Sequence, residues 1–305
     1  MNRSFPALLV ALALAAASCA TTSSAESPPD ESGEFPITIQ APNGPVTIEE
    51  RPTRIVSLSP TATEVLFAIE AGDQVVAVDD QSNFPDDAPV SDLSGLDPNI
   101  EAIAGMEADL VVMMFDVAGE TVAALEAIGI PSLVHSAAVD LDDAYVQIEQ
   151  LGVATGNVAE AAALVASMQG DIDRIVADTD AAGATYYHEL DPLLYSASSA
   201  TFAGALYGIL GLSNIADAAD DGSGYPQLSA EYIVAEDPDL VFLADTKCCG
   251  ESANTVAARP GWDTMGAVRE GAIVELDDDI ASRWGPRVVE FLEAIAIAIG
   301  ARVGA

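Results

Sequence analysis

The segment "SAEYIVAEDPDLVFL" (229–243) repeats "NIEAIAGMEADLVVM" (99–113) without a gap. Glu231 falls on Glu101, Ile233 on Ile103, Asp239 on Asp109, and Leu240 and Val241 on Leu110 and Val111. Each copy reads as a short helix opened by a polar cap, then a turn, then an apolar strand. A unit that recurs so far along a chain of 305 residues favours two lobes built on one plan.

The remaining sequence fits that plan. "ITIQAPNGPVTIE" reads as a hairpin turning at Asn43 and Gly44, ahead of the strand "RIVSL" and a helix capped near Ser59 and stopped at Gly72. "VVAV", "LVVMM" and "PSLVH" are further strands separated by helical stretches, the pattern of a parallel sheet with crossover helices. Residues 137–182 are almost wholly helix-forming, with breaks predicted near Gly152 and Gly156. Within them Val158, Leu164, Val165, Met168, Ile172, Ile175 and Val176 fall at helical spacing. Alternation then restarts through "TYYHEL", "ATFAGALYGILG", "LVFLA" and "GAIVEL", and a last helix begins at about Gly285. The predicted class is α/β, with two parallel-sheet lobes joined by a single long helix. The expected divisions are an N-terminal lobe at 36–156, a linking helix at 157–183 and a C-terminal lobe at 184–305.

The start of the chain reads as an address. Arg3 precedes the apolar run "FPALLVALALAAA", too short to span a membrane as a mature helix. Ala16, Ala17 and Ser18 then lead into Cys19, so residues 1–19 read as a lipoprotein signal peptide with Cys19 lipidated; ordinary secretion is the alternative. Residues 20–35, rich in Ser, Thr, Pro and acids, read as a disordered tether. The chain is thus expected to be exported and anchored by lipid on the periplasmic or extracellular face of the cell membrane. Its 49 acidic residues against 10 basic ones give a net charge of −39, which repels phosphate backbones and anionic headgroups. That excludes nucleic acid as a partner and leaves the lipid anchor as the expected membrane contact.

Cys248 and Cys249 are neighbours. Adjacent Cα atoms across a trans peptide lie nearer than ordinary disulfides prefer, so a bond between them needs a strained ring. Export favours that disulfide over two free thiols, and no further Cys or His stands nearby to complete a metal site. His135 and His188 are the only histidines, too few for a bare transition-metal receptor. No nucleophile elbow, phosphate loop, dinucleotide turn or zinc-protease helix is present, so no catalytic residue is assigned. "DAADDGSGYPQL", from Asp217, lacks the oxygens a calcium loop needs at Ala219 and Leu228.

"RIVSLSPTATEVLFAIEAGDQVVAV", the loop ending "SNFP", "NIEAIAGMEADLVV", "YPQLSAEYIVAEDPDLVFL" and "ASRWGPRVVEFLEAI" occur in an order and spacing that resemble the iron-chelate and vitamin B12 substrate-binding proteins of ABC importers. The likeness runs from about Arg54 to about Ile299. It implies two α/β lobes on one rigid helix, a metal chelate in the cleft between them, and delivery to a permease driven by a partner ATPase. The chelate is cargo, so no cofactor is implied, and a monomer is expected. The resemblance also implies permease docking by Glu101 and Glu231. The plainer reading is that each Glu simply meets a helix dipole, two residues after Asn99 or Ser229.

The cleft should lie at the carboxyl ends of the strands. Candidate ligand-binding residues there are Ser59, Pro60, Gln81 and Phe84, with Phe115 and Asp116, in the first lobe. In the second they are Tyr187, Tyr195, Tyr225, Lys247, Arg283 and Trp284, with His188 beside them. Aromatic rings suit a flat chelate and basic groups suit its acidic substituents, whereas core packing and plain ion pairing are the alternatives for each. "YPQLSAE" and "ASRWGPR" favour a cobalamin-like corrinoid, although Gln81 stands where vitamin B12 binders can carry an aromatic. A ferric siderophore or haem is the alternative ligand. An enzyme or metal-handling protein on the same scaffold is the remote one.

Overall fold

The computed structural model describes residues 34–116 and 118–303. The signal segment, Cys19 and nearly all of the tether lie outside them. An antiparallel hairpin of β1 (Ile37–Ala41) and β2 (Gly44–Ile48) comes first. Ala41 pairs with Gly44, so the turn residues are Pro42 and Asn43, one position earlier than predicted. Asn43 also pins the hairpin to the first lobe, because its amide donates to the Ser132 carbonyl at 2.9 Å and its oxygen accepts from the Val134 N–H.

That lobe contains β3 (Ile55–Leu58), α1 (Pro60–Ala68), β4 (Val75–Val78), α2 (Ile100–Gly105), β5 (Leu110–Met113), α3 (Glu120–Ala127) and β6 (Ser132–Val134). The helices α4 (Leu141–Thr155) and α5 (Val158–Asp178) follow. The second lobe has β7 (Thr185–Glu189), α6 (Phe202–Ile209), β8 (Ser213–Asn214), α7 (Ala230–Glu236) and β9 (Leu240–Leu243). It is completed by α8 (Thr246–Cys249), α9 (Ala253–Ala257), α10 (Gly266–Glu270), β10 (Ile273–Glu275), α11 (Asp278–Ser282) and α12 (Val288–Val303). All pairings within the two lobe sheets are parallel.

The sheet orders are β4-β3-β5-β6 and β10-β9-β7-β8. The first, read along the chain, runs second, first, third, fourth. In the second the order from the other edge is β8-β7-β9-β10, which is the same, so the sequence repeat is also a repeat of topology. In both copies the third strand lies beside the first, Leu110 against Ile55 and Leu240 against Tyr186. The repeat extends to backbone detail. Glu107 and Asp237, at equivalent positions, both have positive φ, 53° and 44°, where the helix turns into the strand. Asp109 then accepts from the Thr53 and Arg54 N–H groups, and Asp239 from the Thr185 N–H at 2.8 Å. Each aspartate thereby fastens its strand to the start of the neighbouring first strand.

One apolar core passes from the first sheet to the second through α5 and α12. The α5 stripe of Ala161, Val165, Met168, Ile172 and Ile175 is buried, and a large aliphatic side chain so placed contributes about 1.5–3 kcal/mol. Gly152 does not break α4, which continues to Thr155. A β-carbon on Gly152 would lie 2.4 Å from that of Ala161, so this glycine lets α4 and α5 approach closely. The break is at Gly156, with φ of 73°.

The lobes are also joined by charge. Glu64 on α1, 2% exposed, accepts from Arg283 at 2.9 Å and from Arg287 Nε at 3.0 Å, both reaching across from the second lobe. Arg283 also donates to the Asn83 side chain, the Gln81 carbonyl and Asp279. Asn83 donates in turn to Asp279 at 3.0 Å. Gly285 lies against Glu64, where a β-carbon would come within 3.3 Å of the carboxylate. Removing Glu64 leaves two largely buried guanidinium groups short of their carboxylate, and breaking a buried pair costs about 3–5 kcal/mol. The Glu64→Ala protein should therefore show a denaturation midpoint lowered accordingly. A loss below about 1 kcal/mol would mean the network adds no more than a surface pair.

Candidate functional site

An order of second, first, third, fourth places a topological switch point between the first and third strands, the crevice where open α/β sheets receive ligands. Here it lies between β3 and β5 in the first lobe and between β7 and β9 in the second. The loops leaving these strands carry Ser59, Phe115 and Asp116 on one side, and Leu193, Tyr195 and residues 245–249 on the other. Phe115 is 44% exposed and Tyr195 37%. Tyr195 pairs with Gln227 in an isolated antiparallel bridge, which brings the 223–228 segment and the exposed Tyr225 beside it. Leu193, also exposed, adds apolar surface outside the set predicted from sequence.

The other candidates are placed differently. Ser59 is buried and caps α1, accepting from the Ala62 N–H, with Pro60 as the first helical residue. Gln81 is exposed, and its side-chain amide donates to Asp80. Phe84 is exposed, but the guanidinium of Arg287 lies over its ring at 4.3 Å, turning it toward α1 and Pro286. Tyr187 is a correction: it is fully buried, packed edge-on to Trp262, because β7 is an inner strand covered on both faces. Arg283 is another, since its guanidinium is held by Glu64, Asn83, Gln81 and Asp279 and is 8% exposed. Trp284 donates its indole N–H to Gln147 and packs with Ser59 and His135 around a space of about 10 Å³, room for one water at most. Lys247 is half exposed, its ammonium held by Asp277 and Asp279. Cys248 and Cys249 form a disulfide, with Cα atoms 3.8 Å apart.

Both histidines are buried and neutral, their pKa values lowered to about 4 by desolvation. His188 pairs with the Tyr207 hydroxyl at 2.9 Å and lies in the core. Among the described residues no three His, Cys, Asp or Glu side chains come together as a metal site.

Under the second switch point lies an acidic cluster that the sequence did not reveal. Glu189, fully buried at the end of β7, receives both Arg259 nitrogens at 2.6 Å, and Arg259 also pairs with Glu251. Both carboxylate oxygens of Asp245 are buried without a hydrogen-bond partner. Burial, reinforced by Glu189, raises the Asp245 pKa from 3.8 to about 7. The folded state therefore retains a proton that the unfolded chain loses above 3.8, and stability contributed by neutral Asp245 falls as pH rises through about 7. The Asp245→Asn protein cannot ionise there. Its melting temperature should exceed the parent's by about 2–4 °C at pH 8, with the gap narrowing as pH falls from about 7 and closing only near 3.8. A gap independent of pH would show that Asp245 is not the titrating group.

Glu101 and Glu231 stand at equivalent places. Asn99 accepts from the Ala102 N–H and Ser229 from the Tyr232 N–H, so each Glu lies in the first turn of a capped helix and is exposed. A helix that leads into a strand from the previous loop begins at the carboxyl edge of the sheet. Both glutamates thus stand at equivalent places, one on each lobe.

Comparison with known proteins agrees with this architecture. A family model described as periplasmic binding protein matches residues 55–280. A cobalamin-binding protein of Halobacterium salinarum is 33% identical over 97% of this chain and 85% of its own length. The uncharacterized ABC transporter substrate-binding lipoprotein YvrC of Bacillus subtilis is 30% identical over 87% of this chain and 86% of its own. Among solved structures, the periplasmic vitamin B12 binding protein BtuF of Vibrio cholerae superposes with a TM-score of 0.69 at 23% identity, covering 84% of this chain and 99% of that one. The periplasmic heme-binding protein RhuT from Roseiflexus gives 0.72 at 24%, covering 82% and 99%. With two lobes of one topology on a linking helix, and a family match across most of its length, the chain belongs to the periplasmic binding protein family.

Proposed function

We propose that this chain is the extracytoplasmic substrate-binding lipoprotein of an ABC importer, and that it captures a metal chelate, with a cobalamin-like corrinoid the favoured ligand. The observation that carries the reading is the exposed aromatic set at the switch points, Phe115 on one lobe and Tyr195 and Tyr225 on the other. It occurs in a chain alignable along 97% of its length with a cobalamin-binding protein. Exposed aromatics on rigid lobes offer stacking area to a flat macrocycle at little ordering cost. The chelate is cargo, and the protein holds it without chemistry. Energy for uptake comes from a partner ATPase acting on the permease.

Export and the lipid on Cys19 belong to the same reading. No helix among the described residues is long and apolar enough to cross a membrane. The monomer requires no second copy, because each lobe supplies one wall of the site. Glu101 and Glu231 are the docking residues: equivalent, exposed and one on each lobe, they suit cationic groups on a permease.

Two measurements test this. Calorimetric titration with cyanocobalamin, cobinamide, haem and several ferric siderophores should give saturable one-to-one binding to a corrinoid, with quenching of Trp284 at the seam. Binding to haem or a ferric siderophore alone would keep the importer reading and change the ligand; silence across the panel would defeat the chelate reading. Separately, Glu101→Arg with Glu231→Arg should reduce uptake into membrane vesicles at least about tenfold, the equivalent of about 1.4 kcal/mol at the docking surface. Ligand affinity should not change. Full transport by the double variant would remove both residues from docking.

A further inference from the structure

We propose that the Cys248–Cys249 disulfide is itself a ligand-contacting surface, the second lobe's platform for a flat metal chelate; this rests on the binding reading above. Three observations support the assignment. First, α8 leaves β9, so it stands at the second lobe's switch point, between the loop after β7 with Tyr195 and the α11 segment after β10. Phe115 leaves the equivalent strand, β5, in the first lobe.

Second, the turn is held rigid from below. Asp278 accepts from the Thr246, Lys247 and Cys248 N–H groups at 2.8–2.9 Å and from the Thr246 hydroxyl. One carboxylate therefore fixes three consecutive residues, and Gly250, with φ of 74°, closes the helix behind them. A surface already ordered costs little further entropy when a ligand arrives.

Third, the polar groups of α8 are engaged while the cysteines remain exposed. The single Thr246 hydroxyl proton is shared between Asp278 and the Leu276 carbonyl, and the Lys247 ammonium lies between Asp277 and Asp279. Asp279 accepts as well from Asn83 of the first lobe, so the turn is beside the seam between lobes. Cys248 and Cys249 are both exposed. Two joined sulfurs form a polarizable apolar patch suited to the edge or face of a conjugated ring. As a disulfide between neighbours encloses almost no chain, its contribution to global stability is small. Its position supplies a better reason for it than the fold does.

The test uses full-length protein with cyanocobalamin and haem as probes. Reduction by a phosphine delivers two electrons to the S–S bond; water supplies two protons and an oxygen, giving two thiols and the phosphine oxide. Saturating probe should slow that reduction at least about fivefold, as burial of the sulfurs requires, and Cys248→Ser with Cys249→Ser should weaken probe binding about threefold to tenfold at an unchanged melting temperature. If the serine variant fails to fold, protection of the parent's disulfide still decides the matter. Binding by the parent with no protection, or by a folded serine variant with unaltered affinity, overturns the proposal alone. Absence of binding by the parent overturns the binding reading, and this proposal with it.

Discussion

One buried carboxylate sets the relation between the lobes. Glu64 lies on the first helix of the first lobe, and the two guanidinium groups that satisfy it come from the last segment of the second. A pair so buried gains little over an apolar packing of the same shape, but it tolerates no loosening, because either partner left alone is costly. Sliding or opening the lobes at this seam would strip Arg283 of Glu64, Asn83 and the Gln81 carbonyl together. α5 and α12 run through a continuous core, so the two sheets share one packed interior.

That constraint explains which site residues were legible in the sequence. The lobes, the linking helix and the repeat could be read because period and spacing report local structure directly. The repeat contained more than its letters revealed: the left-handed turn at Glu107 and Asp237, and the strand fastening by Asp109 and Asp239, depend on backbone geometry. Tyr187 was misplaced because an inner parallel strand is covered on both faces, so position near a strand end says nothing about exposure. Arg283 was misplaced because a basic residue in a cleft motif looks the same whether its carboxylate belongs to a ligand or to Glu64, distant in the chain. Asp245 and Glu189 were missed for a related reason. They face each other only once β7 and β9 lie side by side.

The few bases follow the same pattern of long-range fastening. Arg51 donates to the Thr155 carbonyl and Asn157, securing the α4–α5 junction, and Arg54 donates to the Met106 carbonyl at the end of α2. Arg302 ties α12 to Asp239, the strand-fastening residue of the second lobe. Arg259 neutralises part of the acid beneath the second switch point, and Lys247 steadies the turn that carries the disulfide. In a chain with 10 basic residues, most of the described ones join segments distant in sequence. The acids outnumber them at 49 and supply most of the surface charge.

A surface that acidic has a consequence for docking. For the docking proposed above, the attraction such a surface exerts on a cationic partner is broad, and at physiological ionic strength it is screened beyond about 8 Å. Such a field hastens encounter but cannot select an orientation when so many carboxylates contribute to it. Glu101 and Glu231 differ from the other exposed acids in being fixed by duplicated geometry: a side-chain cap two residues before, a buried isoleucine two residues on, and the same edge of an equivalent sheet. On the docking proposal, two charges on equivalent elements of the two lobes carry orientational information that a diffuse charge does not.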